Sequence, residues 1–154
     1  MVNFTFHKLI LLKMTIQELQ NEIVKDFEIF TDWEDRYTHI IQMGKDLPVF
    51  PEEFKTEKYL LHGCQSQVWI NAKLEDEKII INADSDSAIV KGLIALLIKV
   101  YSGQRPADIL ANPPEFLTEI GIDHHLSPTR KNGLSSMIKE IQRMAFTYNM
   151  LAKK

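Results

Sequence analysis

The sequence predicts an α+β fold, a small antiparallel β-sheet packed against several helices. Three observations carry that prediction. Two stretches of helical periodicity follow Met14, and an alternating run and an isoleucine-rich run joined by a short acidic turn occupy the middle of the chain. Helical periodicity then returns from Ala88 to the end. Helices, then one hairpin, then helices again is not the strand–helix alternation that builds a parallel sheet.

Each element has a local cause. Thr15 and Glu18 form a capping box, opening a helix whose apolar residues Ile16, Leu19, Ile23, Phe27 and Phe30 recur at helical spacing. Thr31 and Asp32 interrupt it and cap a second helix carrying Trp33, Tyr37, Ile40 and Ile41, with Gly44 as its expected end. Pro48 and Pro51 make Leu47 to Phe54 an expected extended surface loop. Gln67 to Leu74 places Val68, Ile70, Ala72 and Leu74 on one side. Glu75-Asp76-Glu77 turns the chain into the strand from Lys78 to Ala83. Asp84-Ser85-Asp86-Ser87 is a strong helix start, with Asp84 and Asp86 as expected caps. The helix to Tyr101 is apolar nearly all round, which predicts a buried central helix ended by Ser102-Gly103. Two short helices follow, over Pro106 to Leu110 and Pro113 to Ile120, the second stopped by Gly121. The last helix, capped by Ser127 or Thr129, carries the stripe Leu134, Met137, Ile138, Ile141, Ala145, Tyr148 and Ala152.

The 154 residues suffice for one domain, and 45% apolar content with a net charge of −3 supports a core without staples. We expect residues 1–13 to be an N-terminal extension, from a start assigned too far upstream or as a genuine extra segment, and 14–154 to be a single domain. The run Leu9-Ile10-Leu11-Leu12 superficially suggests a signal peptide, but no basic region precedes it and no small-x-small cleavage site follows. The longest apolar stretch, Ala88 to Tyr101, contains Lys91 and Lys99 and is too short for a membrane span. The slight acidic excess and the lack of any Lys/Arg cluster longer than two argue against nucleic acid as the main partner.

The single cysteine, Cys64, excludes an intramolecular disulfide and any thiolate-rich metal site within one chain. A lone cysteine is commonly a small buried hydrophobe. Here Gly63 precedes it and Gln65-Ser66-Gln67 follows, a polar run that does not suit a close-packed core. With no resolving cysteine for disulfide chemistry, one accessible thiol suits a sulfur or acyl carrier. A cysteine hydrolase would need a base, and His39, His62, His124 and His125 are available without any spacing that brings one to Cys64. No four-ligand metal set emerges from these residues. Arg130-Lys131 places two cations in the first turn of the last helix, against its dipole. They are either a tolerated, solvated misplacement or a functional pair. In the second case Arg130 serves a carboxylate, Asp84 or Asp86, or lowers the pKa of a nearby thiol.

Gly63-Cys64-Gln65-Ser66-Gln67-Val68-Trp69-Ile70 resembles the signature around the active cysteine of the SufE-type sulfur-acceptor (cysteine desulfuration protein) family. The resemblance continues through Asp84-Ser85-Asp86-Ser87-Ala88-Ile89-Val90-Lys91-Gly92-Leu93 and through His125-Leu126-Ser127-Pro128-Thr129-Arg130. It extends to Trp33-Glu34-Asp35-Arg36-Tyr37 in the second helix, and so runs from about Met14 to Ala145. The resemblance implies a fold like that of the IscU-type iron–sulfur scaffolds. It implies a sulfur acceptor and activator of a SufS-like, pyridoxal-phosphate-dependent cysteine desulfurase. Such a protein carries sulfane sulfur as a persulfide on Cys64 and passes it to an iron–sulfur scaffold. On the same basis Gly63, Gln65, Ser66 and Gln67 give the cysteine loop its shape and freedom, while Asp86, Arg130 and Lys91 support it. Pyridoxal phosphate is expected on the partner only, with no cofactor or metal on this chain. A cytoplasmic monomer or homodimer is expected, without membrane or nucleic-acid partners. The alternative is an adaptor that binds and stimulates the desulfurase without carrying sulfur. His62 and residues 1–13 have no counterpart in the resemblance, and which desulfurase and which acceptor are served stays open.

Overall fold

In the computed structural model, residues 14–153 are described, and the extension expected over 1–13 lies outside them. Thr15 accepts the amide of Glu18 and starts helix α1, Ile16–Phe27, which buries Ile16, Leu19, Ile23 and Phe27. Asp32 accepts the amide of Asp35 at 2.8 Å and starts α2, Trp33–Lys45. Strand β1, Val68–Glu75, pairs antiparallel with β2, Lys78–Ser85, in the register Val68 to Ser85. Helix α3 spans Ala88–Tyr101, α4 Pro106–Ala111, α5 Phe116–Glu119 and α6 Pro128–Ala152. The architecture is thus α+β, with a two-stranded antiparallel sheet among helices.

The alternation of apolar residues fixes which face of the hairpin is buried. Val68 and Ile70 from β1 and Ile79, Ile81 and Ala83 from β2 enter one core. Leu93, Ile94, Leu96, Leu97 and Val100 of α3 fill its centre, and α1 and α6 close it. The sheet is extended at both edges by single bridges, Leu60 on Trp69 and Gln104 on Ile79. Among the described residues no helix is long and apolar enough to cross a membrane.

Three expectations are corrected. Gly44 does not end α2 in a left-handed turn; it lies inside the last turn, where a Cβ would sit 2.8 Å from the amide nitrogen of Gly92. The glycine pair exists because α2 and α3 cross backbone to backbone at that point. The segment Leu47 to Phe54 is not simply an exposed loop, since Phe50 is buried and Glu52–Phe54 forms a 3₁₀ turn. Asp84 and Asp86 do not cap α3. Ser87 does, accepting the amide of Val90, and Asp84 belongs to β2. Of the two expected caps for α6, Ser127 is the one used, accepting the amide of Arg130.

Candidate functional site

Cys64 lies in the connection between the bridge at Leu60 and strand β1. Upstream, Leu61 donates to the Val68 carbonyl at 2.7 Å and the Tyr59 carbonyl accepts from Ile70, so the approach to the cysteine is paired onto β1. Gly63 adopts φ +95°, a conformation open to glycine, and a Cβ there would lie 2.7 Å from Ser136 Oγ. Downstream, the Gln67 amide donates to Asp86 Oδ1 at 3.0 Å and the Ser85 hydroxyl donates to the Gln67 carbonyl at 2.8 Å. The loop therefore leaves the sheet and returns to it at two fastened points, with Gly63, Cys64, Gln65 and Ser66 between them.

The side chain of Cys64 turns inward. It is half-buried and faces a cavity of about 290 Å³. Val90 and Leu93 of α3 and Leu134 and Met137 of α6 supply apolar lining, while Gln65, Ser66, Ser127, Thr129 and Arg130 supply polar groups. The thiol lies 3.7 Å from the Gly133 carbonyl, to which it donates a weak hydrogen bond. A Cβ on Gly133 would lie 3.6 Å from the sulfur, an ordinary van der Waals contact, so this glycine lies directly against the sulfur. Burial pushes the Cys64 thiol up from its ordinary pKa, because the thiolate is the form that loses hydration. The resting group is a sheltered thiol.

The other expected site residues divide into two groups. Arg130, Gln65 and Ser66 line the cavity with Cys64, and Asp86 and Gln67 are joined to each other at the base of the loop. Lys91 is turned elsewhere, pairing with Asp84 at 3.2 Å. Asp84 also holds Lys55 at 3.0 Å, so neither aspartate is paired with Arg130. Among the described residues Arg130 forms no ion pair, and none of them groups into a metal-binding cluster.

Sequence reasoning passed over two arrangements. Lys55 bridges Asp84 and Glu52 and approaches the Trp69 ring at 5.7 Å, a contact between segments with no shared local pattern. Trp33 of α2 stacks on His125, with ring centroids 3.7 Å apart and planes at 18°. The motif Trp33-Glu34-Asp35-Arg36-Tyr37 was the available signal, but nothing in it names a partner so distant along the chain.

A half-buried thiol on a loop, facing a cavity of mixed polar and apolar lining within a small α+β scaffold, defines a protein that shelters its one cysteine sulfur rather than packing it into the core. The profile of the SufE Fe–S metabolism associated domain matches residues 21–145. The chain belongs to the SufE family. It is 38% identical over 130 residues to an uncharacterized SufE-like protein of Rhizobium meliloti (strain 1021), covering 81% of this chain and 93% of that one. An uncharacterized SufE-like protein of Synechocystis is 35% identical over 149 residues, 97% of this chain and 94% of its own. SufE-like protein 1, chloroplastic/mitochondrial, of Arabidopsis thaliana is 40% identical over 125 residues, which make up 34% of that longer protein. The solution structure of a hypothetical protein from Thermus thermophilus superposes with a TM-score of 0.71 at 21% identity, covering 86% of this chain and 96% of that one, and shares the fold.

Proposed function

We propose that this protein accepts sulfane sulfur from the persulfide of a pyridoxal-phosphate-dependent cysteine desulfurase and carries it on Cys64 to iron–sulfur cluster assembly, in the cytoplasm. The observation that carries the reading is the placement of the chain's one cysteine, on a doubly fastened loop with its sulfur facing a lined cavity. In the transfer, the Cys64 thiolate attacks the outer sulfur of the partner's persulfide. A sulfur–sulfur bond forms on Cys64 as the partner's own sulfur–sulfur bond breaks, and the partner cysteine leaves as a thiolate. The Cys64 proton passes to solvent or to the leaving thiolate, and no external oxidant or reductant is consumed. The cavity has room for one further sulfur atom beside Val90, Leu93 and Met137, which would keep a persulfide away from water and free thiols.

Incubation with a cysteine desulfurase and cysteine, without reductant, tests the reading by intact mass. Sulfur-atom increments on Cys64 that dithiothreitol removes are the expected result. A Cys64→Ser chain should keep its fold and gain no sulfur. If that variant stimulates the desulfurase as well as the parent does, the protein is an adaptor and the carrier reading is wrong.

A further inference from the structure

The wall of the cavity opposite the cysteine loop has an uneven foundation. Ser127, Thr129 and Arg130 all contribute to it, yet every residue from Ser127 to Asn132 is exposed. Leu126 before them and Gly133 and Leu134 after them are buried. The first turn of α6 therefore reaches over Cys64 without a buried side chain of its own. Gly133 and Leu134 fix it from within the helix, and from the other side it depends on what holds the chain just upstream.

That holding is done by α2. The Trp33 ring stacks on His125, two residues before Ser127, and the Tyr37 hydroxyl donates to the His125 carbonyl. Arg36 lies 5.1 Å from the Trp33 ring centroid and donates to the carbonyls of Ile120, at 3.0 Å, and Phe30. Gly121 turns through φ +76° where a Cβ would lie 3.4 Å from Trp33 Cζ2. The segment from Ile120 to His125 is thus gripped at both ends by one face of α2.

We propose that Trp33, Tyr37 and His125 are positioning residues, a clamp that sets the Ser127–Arg130 wall over Cys64 and so governs the reactivity of its sulfur. The clamp touches no reacting atom; it acts through the helix start. Because burial is what holds the thiol up, a wall released by loosening the clamp lets in water and lets the thiol ionise at lower pH. The inference builds on Cys64 as the reacting group, but its measurement does not require sulfur transfer.

The test is the rate of Cys64 alkylation by iodoacetamide as a function of pH, followed by intact mass. His125→Ala removes the stack while leaving the carbonyl, and Tyr37→Phe removes the hydrogen bond while leaving the ring. Both are expected to move the alkylation midpoint down, by about half a unit for His125→Ala, so that alkylation at pH 7 rises about three-fold. His125→Phe keeps a stacking ring and should restore the parent profile. Ile23→Val, a small core truncation in α1, should lower the melting temperature and leave the profile alone. A His125→Ala profile that superimposes on the parent, or an equal displacement in Ile23→Val, overturns the clamp. A parent protein that takes up no sulfur from a desulfurase overturns the carrier reading instead, and the alkylation profiles still decide on the clamp.

Discussion

At Cys64 the surroundings select the protonated thiol. Burial raises its pKa, so the folded chain holds the proton more tightly than the unfolded chain does. The stability this contributes is complete below the ordinary thiol pKa and is lost as pH rises through the raised value. Alkylation of the native protein should accordingly have its midpoint above that of the urea-unfolded chain, and a native midpoint at or below the unfolded one would contradict the burial described. Gly133 offers a second handle. A Gly133→Ala side chain would come close to the sulfur, narrowing the cavity with only an ordinary contact. Iodoacetamide should then react more slowly with Cys64, while the melting temperature changes little. That Cys64 lies outside the close-packed core was legible from Gly63 and the polar residues after it. Its inward direction was not, because that depends on Gly133 and Met137, which arrive from α6 about seventy positions later.

Among the elements, the β-hairpin shows how pattern and chemistry can diverge. Its strands follow from alternation, but its turn puts both Asp76, at φ 51°, and Glu77, at φ 66°, in the left-handed region without a glycine. Such a turn matches the twist of paired strands and favours glycine at the second position. Glu77→Gly should therefore stabilise the protein by up to about 1 kcal/mol, read as a raised urea midpoint. Gln20 is the opposite case, a polar residue in the core face of α1 that periodicity treats as neutral. Its side chain donates to the Pro113 carbonyl and accepts the buried Phe116 amide at 3.0 Å, fastening α1 to the start of α5. Gln20→Ala strands that amide and should cost about 1–3 kcal/mol in urea unfolding. Helical spacing announced α1 and α6 correctly because each buries a continuous stripe, and α3 was legible because it is apolar nearly all round. It misjudged Gly44 because a glycine near a helix end suits both a cap and a close crossing, and only the partner helix separates the two.

For the molecule as a whole, the charges at Asp84 join the start of α3 to the distant segment of Lys55. Burial pushes the Asp84 carboxyl up, but hydrogen bonds from Lys55, the Ser85 amide and Lys91, together with the charge of Lys91, outweigh it and hold the pKa below its ordinary value. The sign is therefore opposite to that at Cys64. This stabilisation is present above the unfolded carboxyl value and disappears as pH falls through the lower folded one. The gap in urea midpoint between the parent and Asp84→Asn should be widest near neutrality and close as pH drops below about 4. The asparagine variant tests this directly, because a gap that stays constant with pH would mean packing rather than charge. The fold class was readable because it depends on periodicity and order. The link from Lys55 to Asp84, like those from Trp33 and Tyr37 to His125, exists only once the chain has folded, so no short window of sequence contains it.

The glycine crossing of α2 and α3 also acts as the pivot of a lever. From Gly44 to Trp33, α2 extends about 16 Å at 1.5 Å per residue, and the far end carries the rings that grip His125. Beside the pivot, Gly92 lies between Val90 and Leu93, which line the sulfur's cavity. A tilt of about 4° at the crossing would displace the tip of that arm by about 1 Å, comparable to the difference between a good and a poor reaction geometry. Two residues without side chains, both outside the cavity, thereby join the arm that meets His125 to the helix that lines the cavity.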